Sequence, residues 1–216
     1  MRIYAVADIH GCPDRMRLIK ENTIKLKPDV LIVAGDITHF THPVPTIARL
    51  NDMPVPVLAI RGNTDLKRVE RLIGKCTNIT PLHLKKIAID HVCFVGMSGT
   101  VPVPFSSRIG FREGPVLEKV MPLLKRDSVL VVHPPPWGTL DEVLGRFHAG
   151  CRSLRRIVSR VQPRLLICGH IHERPGTAFI GETLVINCAM SRTGAGAVID
   201  LDIDQDPKVE MLCYPN

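Results

Sequence analysis

Aromatic side chains are scarce in this chain: one Trp, two Tyr and six Phe among 216 residues. A core with so few rings must rest on Val, Ile and Leu, which points to strands buried between layers. Long apolar runs are also missing. The opening MRIYAVADIHGC has one Arg and a short apolar stretch broken by Asp8. It reads as neither a signal peptide nor an anchor, and a cytoplasmic location without membrane association is expected. The seven cysteines are odd in number and form no C-x-x-C pair, which argues against a disulfide framework or a structural zinc site. Cys93, Cys168 and Cys188 lie inside apolar runs and read as small core residues. P-loop, G-x-S-x-G and catalytic-cysteine contexts are absent. So is a long basic arm or a basic–aromatic stripe, so nucleic acid is a possible partner that nothing specifically indicates.

What remains is an ordinary globular composition, 45% hydrophobic and 23% charged, long enough for a single domain over residues 1–216. Net charge is 28 − 21 = +7, with a pI of about 9.2, which fits either a solvated basic surface or attraction toward phosphate-bearing substrates. Short β-branched runs alternate with helical stretches over the first two-thirds, and strands follow in series from Thr177 onward. Helices are expected from Pro13 to about Lys27, over Leu66–Ile73 and in CRSLRRIVSRVQ. LHLKKIAID and HVCFVGM read as paired strands turning near Asp90, and residues 99–115 as a Pro/Gly/Ser-rich loop. This is the pattern of a mixed α/β fold with a β-rich end. The apolar C-terminal strands could complete a second sheet or pair in a homo-oligomer.

The polar residues at the ends of the runs carry the chemistry. RIYAVAD ends at Asp8, DVLIVAGD at Asp36, VPVLAIRGN at Asn63, SVLVVH at His133 and RLLICGHIH at His170 and His172. Ligands of open α/β sheets bind beyond the carboxyl ends of the strands, so the residues ending these five runs would meet in one crevice if the strands are neighbours. Asp8 and His10, like His170 and His172, are two apart, and in extended backbone such residues point the same way. Gly11, Gly35, Gly62 and Gly169 flank the set and permit close approach. Two carboxylates, four imidazoles and an amide oxygen suit divalent first-row metals such as Mn, Fe, Co, Ni or Zn. Seven ligand residues exceed the needs of one ion and suit two, about 3.5–4 Å apart.

The motifs ADIHG, AGDI, RGNTD, VVHPPP and CGHIHE, in this order over residues 8–172, resemble the D-x-H, G-D, G-N-x-[DE], H and G-H-x-H signature of calcineurin-like metallophosphoesterases. HPPPWGTLDEV and CGHIHERPG are closer to small prokaryotic-type phosphodiesterases than to protein phosphatases. The resemblance implies a four-layer α/β/β/α sandwich of two mixed sheets flanked by helices. It also implies that Asp8, His10 and His172 hold one metal, that Asn63, His133 and His170 hold the other, and that Asp36 bridges them. The implied reaction is hydrolysis of a small phosphoester, most simply a phosphodiester, by in-line attack of a metal-bridging hydroxide.

One position departs from the family. Many members carry His directly after G-N, where it protonates the leaving group or steadies the phosphate. Here that position is Thr64, and threonine is no general acid near neutral pH. Esters with good leaving groups are therefore the expected easy substrates. His148, in RFHAG, is a candidate to reach the site. The candidate catalytic residues are then Asp36, Asn63 and His148, with Asn63, Arg61 and Arg108 as candidate substrate contacts and Arg112 a further arginine nearby. Asp65 is expected to orient a neighbouring ligand. His39 and His42, in THFTHP, could imitate a metal pair but do not end an apolar run. Two other readings fit the same motifs: a nuclease or nucleotidase using this chemistry, and a non-catalytic protein-binding scaffold similar to the retromer scaffold subunit.

Overall fold

The computed structural model describes residues 1–99, 118–202 and 204–214. The first sheet contains β1 (Arg2–Val6), β2 (Val30–Ala34), β3 (Val57–Ile60), β4 (Ile79–Pro81), β13 (Gly194–Asp200) and β14 (Lys208–Cys213), in the order β14-β13-β1-β2-β3-β4. The second contains β5 (Lys86–Ile89), β6 (Val92–Met97), β7 (Ser128–Val132), β10 (Leu165–Cys168), β11 (Gly176–Ile180) and β12 (Thr183–Asn187), in the order β11-β12-β10-β7-β6-β5. Both are mixed: β1-β2-β3-β4 and β6-β7-β10-β12 run parallel, and β13, β14, β11 and β5 pair antiparallel.

Alternation along each strand builds the layers. Ile3 and Ala5 of β1 and Ile32 of β2 face Val129, Val131 and Ile167 of the second sheet. Tyr4, Val6, Leu31 and Val33 face outward under α1 (Pro13–Leu26), α2 (Pro43–Asn51) and α3 (Lys67–Ile73), through Ile19, Ile47, Leu50 and Val69. On the other side Leu130, Val132 and Leu166 carry Leu154 and Val158 of α4 (Arg152–Val161). The result is the expected α/β/β/α sandwich. Each Val, Leu or Ile removed from water in these layers contributes about 1.5–3 kcal/mol. Among the described residues no helix is long and apolar enough to cross a membrane.

Three elements were not expected. Helix α2 begins Pro-Val-Pro, where a first helical turn needs no N–H donor. Its buried Pro43, Thr46, Ile47 and Leu50 keep helical spacing. Strand β4 ends in Pro81 and lies at a sheet edge, where proline is tolerated. A two-strand hairpin, β8 (Glu142–Val143) with β9 (Phe147–His148), rises from the stretch after His133. The expected loop at 99–115 lies outside the described residues except Gly99.

The strand ends are divided between the sheets. Asp8, Asp36 and Asn63 follow adjacent parallel strands of the first, and His133 and His170 follow adjacent parallel strands of the second. The sheets are stitched together there: the Ala7 N–H donates to the Cys188 carbonyl at 3.2 Å and the Met190 N–H to the Ala7 carbonyl at 3.0 Å.

Candidate metal centre

The loops leaving these strands turn sharply. Asp8, His10, Asp36 and His170 have φ of 60°, 53°, 50° and 73°, the left-handed region that Asp and His enter more readily than most residues. Backbone bonds hold them there: Asp8 N–H to the Gly35 carbonyl at 3.0 Å, His10 N–H to Asp36 at 2.9 Å and Gly11 N–H to Ile37 at 2.9 Å. Left-handed conformations cost of order 1–3 kcal/mol each and persist where the surroundings over-determine them.

The side chains meet around Asp8. Its Oδ2 accepts the His170 N–H at 2.8 Å. Its Oδ1 is buried and has no aligned hydrogen-bond donor, although three imidazoles surround it. The distances are 3.1 Å from His172 Nε2, 3.9 Å from His10 Nε2 and 4.0 Å from His133 Nε2. Asp36 lies between two of them, with Oδ2 3.8 Å from His10 Nε2 and Oδ1 3.5 Å from His133 Nε2. His133 Nδ1 is 2.9 Å from the Ala34 carbonyl, which directs Nε2 into the cluster, 2.9 Å from Asn63 Oδ1. The His170 ring lies 5.0 Å from that of His133, and the His10 and His172 rings are 5.4 Å apart. Two sets of ligand atoms close enough for one ion result: Asp8, His10 and His172, and Asp8, Asp36 and His133. An orphaned carboxylate oxygen ringed by imidazole nitrogens fits a divalent cation.

The electrostatics agree with that fit. Burial disfavours the charged Asp8 and Asp36 carboxyls, but the surrounding imidazoles outweigh it and both lie below the ordinary range. Burial likewise pushes His133 down, and Asp36, Asp8 and the Ala34 carbonyl outweigh it, raising His133 to about 9. Burial and the neighbouring His133 lower His170 to about 4. The folded His133 value lies above its ordinary 6.5, so in metal-free protein its stabilisation is complete below about pH 6.5 and lost as pH rises through about 9. Metal-free protein is therefore expected to lose the His133 contribution to stability over that window, with a falling Tm. Thermal unfolding from pH 6.5 to 9 with His133→Asn as control checks this, and equal slopes for the two proteins would refute it.

A family model for calcineurin-like phosphoesterases matches residues 1–174. The chain belongs to that family. It is a metal-dependent phosphoester hydrolase. An uncharacterized protein of Methanocaldococcus jannaschii is 32% identical over 197 residues, covering 87% of each chain. An archaeal phosphodiesterase superposes with a TM-score of 0.61 at 14% identity, covering 99% of this chain and 100% of its own. A Danio rerio dimetal phosphatase gives 0.63 at 11% identity, covering 100% and 99%. At these identities the two structures establish a common fold.

Within this phosphoesterase, Asp65 supports the centre rather than joining it. It is buried and accepts four hydrogen bonds: Ile37 N–H and Gly62 N–H at 3.0 Å, and Thr38 N–H and Oγ1–H at 2.8 Å. These tie the Asp36 loop to the Asn63 loop. Asp65→Asn puts an NH2 where two donors point, so a loss of about 2–4 kcal/mol is expected. Urea unfolding measures it, and a change below about 1 kcal/mol would remove Asp65 from this role. Thr64 belongs to the same seam: its N–H donates to Asp36 Oδ1 at 2.8 Å and its hydroxyl to the Thr38 carbonyl at 2.7 Å.

Four of the other candidates fall among the described residues. The Arg61 guanidinium donates to the Asp65 carbonyl at 3.0 Å and approaches Glu70 at 3.6 Å. His148 Nδ1 is 2.8 Å from the buried Asp141, and its ring packs on Trp137 at 5.3 Å. Asp141, His148 and Arg174 border a cavity of about 230 Å³, and Arg174 lies two residues beyond His172. His39 approaches His10, ring to ring, at 6.1 Å, while His42 sits at the start of α2 with φ 51°. Arg108 and Arg112 lie outside the described residues.

Two supports were missed. Arg15 donates to the Asp8 carbonyl. Asn187 braces the His170–His172 turn by donating to the Ile171 and Arg174 carbonyls at 2.8 and 2.9 Å. Asn187 carried the same signal as the ligands, a polar residue ending the apolar run TLVIN.

Proposed function

We propose that this hydrolase is a dimetal phosphodiesterase in which Asp8, His10 and His172 hold one ion and Asn63, His133 and His170 the other, with Asp36 between them. The supporting observation is the position of Asp36, whose two oxygens face an imidazole from each set. Divalent ions such as Mn, Fe, Co, Ni or Zn supply Lewis-acid polarisation of phosphoryl oxygens and activate water near neutral pH. The chain's own residues do the rest. The Ala34 carbonyl and the Asp8 carboxylate orient His133 and the His170 loop. Asn63 presents its amide beside the phosphoryl group, with Arg61 and Arg108 as further substrate contacts. His148, held by Asp141, contacts the part of the substrate that occupies the neighbouring cavity.

With Thr64 engaged by Thr38 and unable to give up a proton, esters whose leaving groups need little protonation are favoured. Activated phosphodiesters fit this requirement. The +7 charge suits such anionic substrates and also permits a nuclease or nucleotidase reading. The reading places one domain over residues 1–216 in the cytoplasm.

The test is hydrolysis of bis(p-nitrophenyl) phosphate and of the p-nitrophenyl monoester by chelator-stripped protein, with and without Mn²⁺. Metal-dependent turnover with a diester preference supports the proposal. A monoester preference discards the diester assignment, and absence of turnover with every first-row metal favours the scaffold reading.

A further inference from the structure

The segment Thr38–Phe40 contributes an imidazole that the metal centre does not use. Thr64, at the position where many relatives carry a leaving-group histidine, turns its hydroxyl to the Thr38 carbonyl at 2.7 Å, with the same hydroxyl 3.5 Å from His10 Nδ1. The residue after Thr38 is His39. Its ring meets the same His10 ring edge-on, 6.1 Å between centroids. Thr64 and His39 therefore flank one metal-centre imidazole.

His39 is held in place without being consumed. On one side Thr38 is fixed by Asp65 through its N–H and its hydroxyl, both at 2.8 Å. On the other, the Phe40 N–H donates to the Thr64 carbonyl at 3.3 Å, and the Phe40 carbonyl accepts from Arg68 at 3.1 Å. The Phe40 ring stands against the imidazole at 5.4 Å, nearly perpendicular. Among the described residues the His39 ring nitrogens have no hydrogen-bond partner, and the side chain is exposed beside the cluster. Such positioning by a rigid frame is what a reactive contact requires.

We propose that His39 is the leaving-group contact of this hydrolase. As the water oxygen bonds to phosphorus and the ester P–O bond breaks, the electron pair stays on the departing oxygen. The His39 N–H donates a hydrogen bond to that oxygen, which takes up the proton released by the attacking water. A neutral imidazole carries one N–H in either tautomer, so the contact requires no change in charge. This rests on the phosphoesterase reading of the centre.

The experiment uses Mn²⁺-loaded wild-type, His39→Ala and His39→Gln protein on methyl aryl phosphates whose phenols span a range of basicity, with bound metal counted by elemental analysis. The His39→Ala loss is expected to grow from about tenfold for a p-nitrophenyl ester to about 100-fold for a phenyl ester. Metal content should match wild type, and His39→Gln, which keeps a donor, should recover part of the loss. A loss that is absent or uniform across the series, with metal retained, overturns the proposal alone. Loss of an ion from His39→Ala also overturns it, making His39 a ligand. Wild-type protein that hydrolyses none of the esters overturns this proposal together with the functional reading beneath it.

Discussion

Asp8→Asn is expected to lower metal-dependent activity by at least about 10³-fold and to abolish the stabilisation that metal confers. Asp8 is the carboxylate common to both ligand sets, and three imidazole nitrogens lie within 4.0 Å of its Oδ1. The amide keeps the shape and can still accept the His170 N–H through its oxygen, so the fold should survive. What it removes is the negative charge that makes both sets attractive to a divalent ion. In wild-type protein, metal at 100 times its Kd should raise stability by about 2.7 kcal/mol. For a chain of this size that is roughly 5–10 °C in Tm. Thermal unfolding of chelated and Mn²⁺-loaded samples, with elemental analysis, provides the comparison. An Asp8→Asn protein retaining both the Tm rise and the activity would disconnect Asp8 from the centre.

The second large effect comes from a residue with no functional group. A Cβ built on Gly62 would lie 2.2 Å from Asp36 Oδ1 and 2.3 Å from Asp36 N. Backbone cannot yield as a flexible side-chain tip would, so Gly62→Ala must displace Asp36 or the Asn63 loop. A shift near 1 Å at a reacting centre costs about 10²-fold, and overpacking of this kind about 1–3 kcal/mol. Activity on an activated diester, measured beside urea unfolding, separates the two. Wild-type turnover by Gly62→Ala would mean that Asp36 tolerates displacement and does not depend on close approach of these loops.

Reading along the chain was enough for the local features: which runs are strands, that five of them end in ligand-type side chains, and that Thr64 breaks the family pattern. Periodicity and strand ends are properties of neighbouring residues, so reading along the chain suffices. It assigned no element at α2, although prolines there suit a first helical turn. Only the tertiary structure decided the partnerships. The Asp8 carboxylate meets the His170 N–H across 162 residues of chain. The Arg61 guanidinium, a candidate phosphate contact, meets the Asp65 carbonyl of the neighbouring loop turn. His39, which ends no apolar run and so gave no clear signal along the chain, has its ring beside His10, the imidazole that Thr64 also approaches. Such neighbours follow from strand order and from how two sheets pack, which the spacing of apolar residues does not encode.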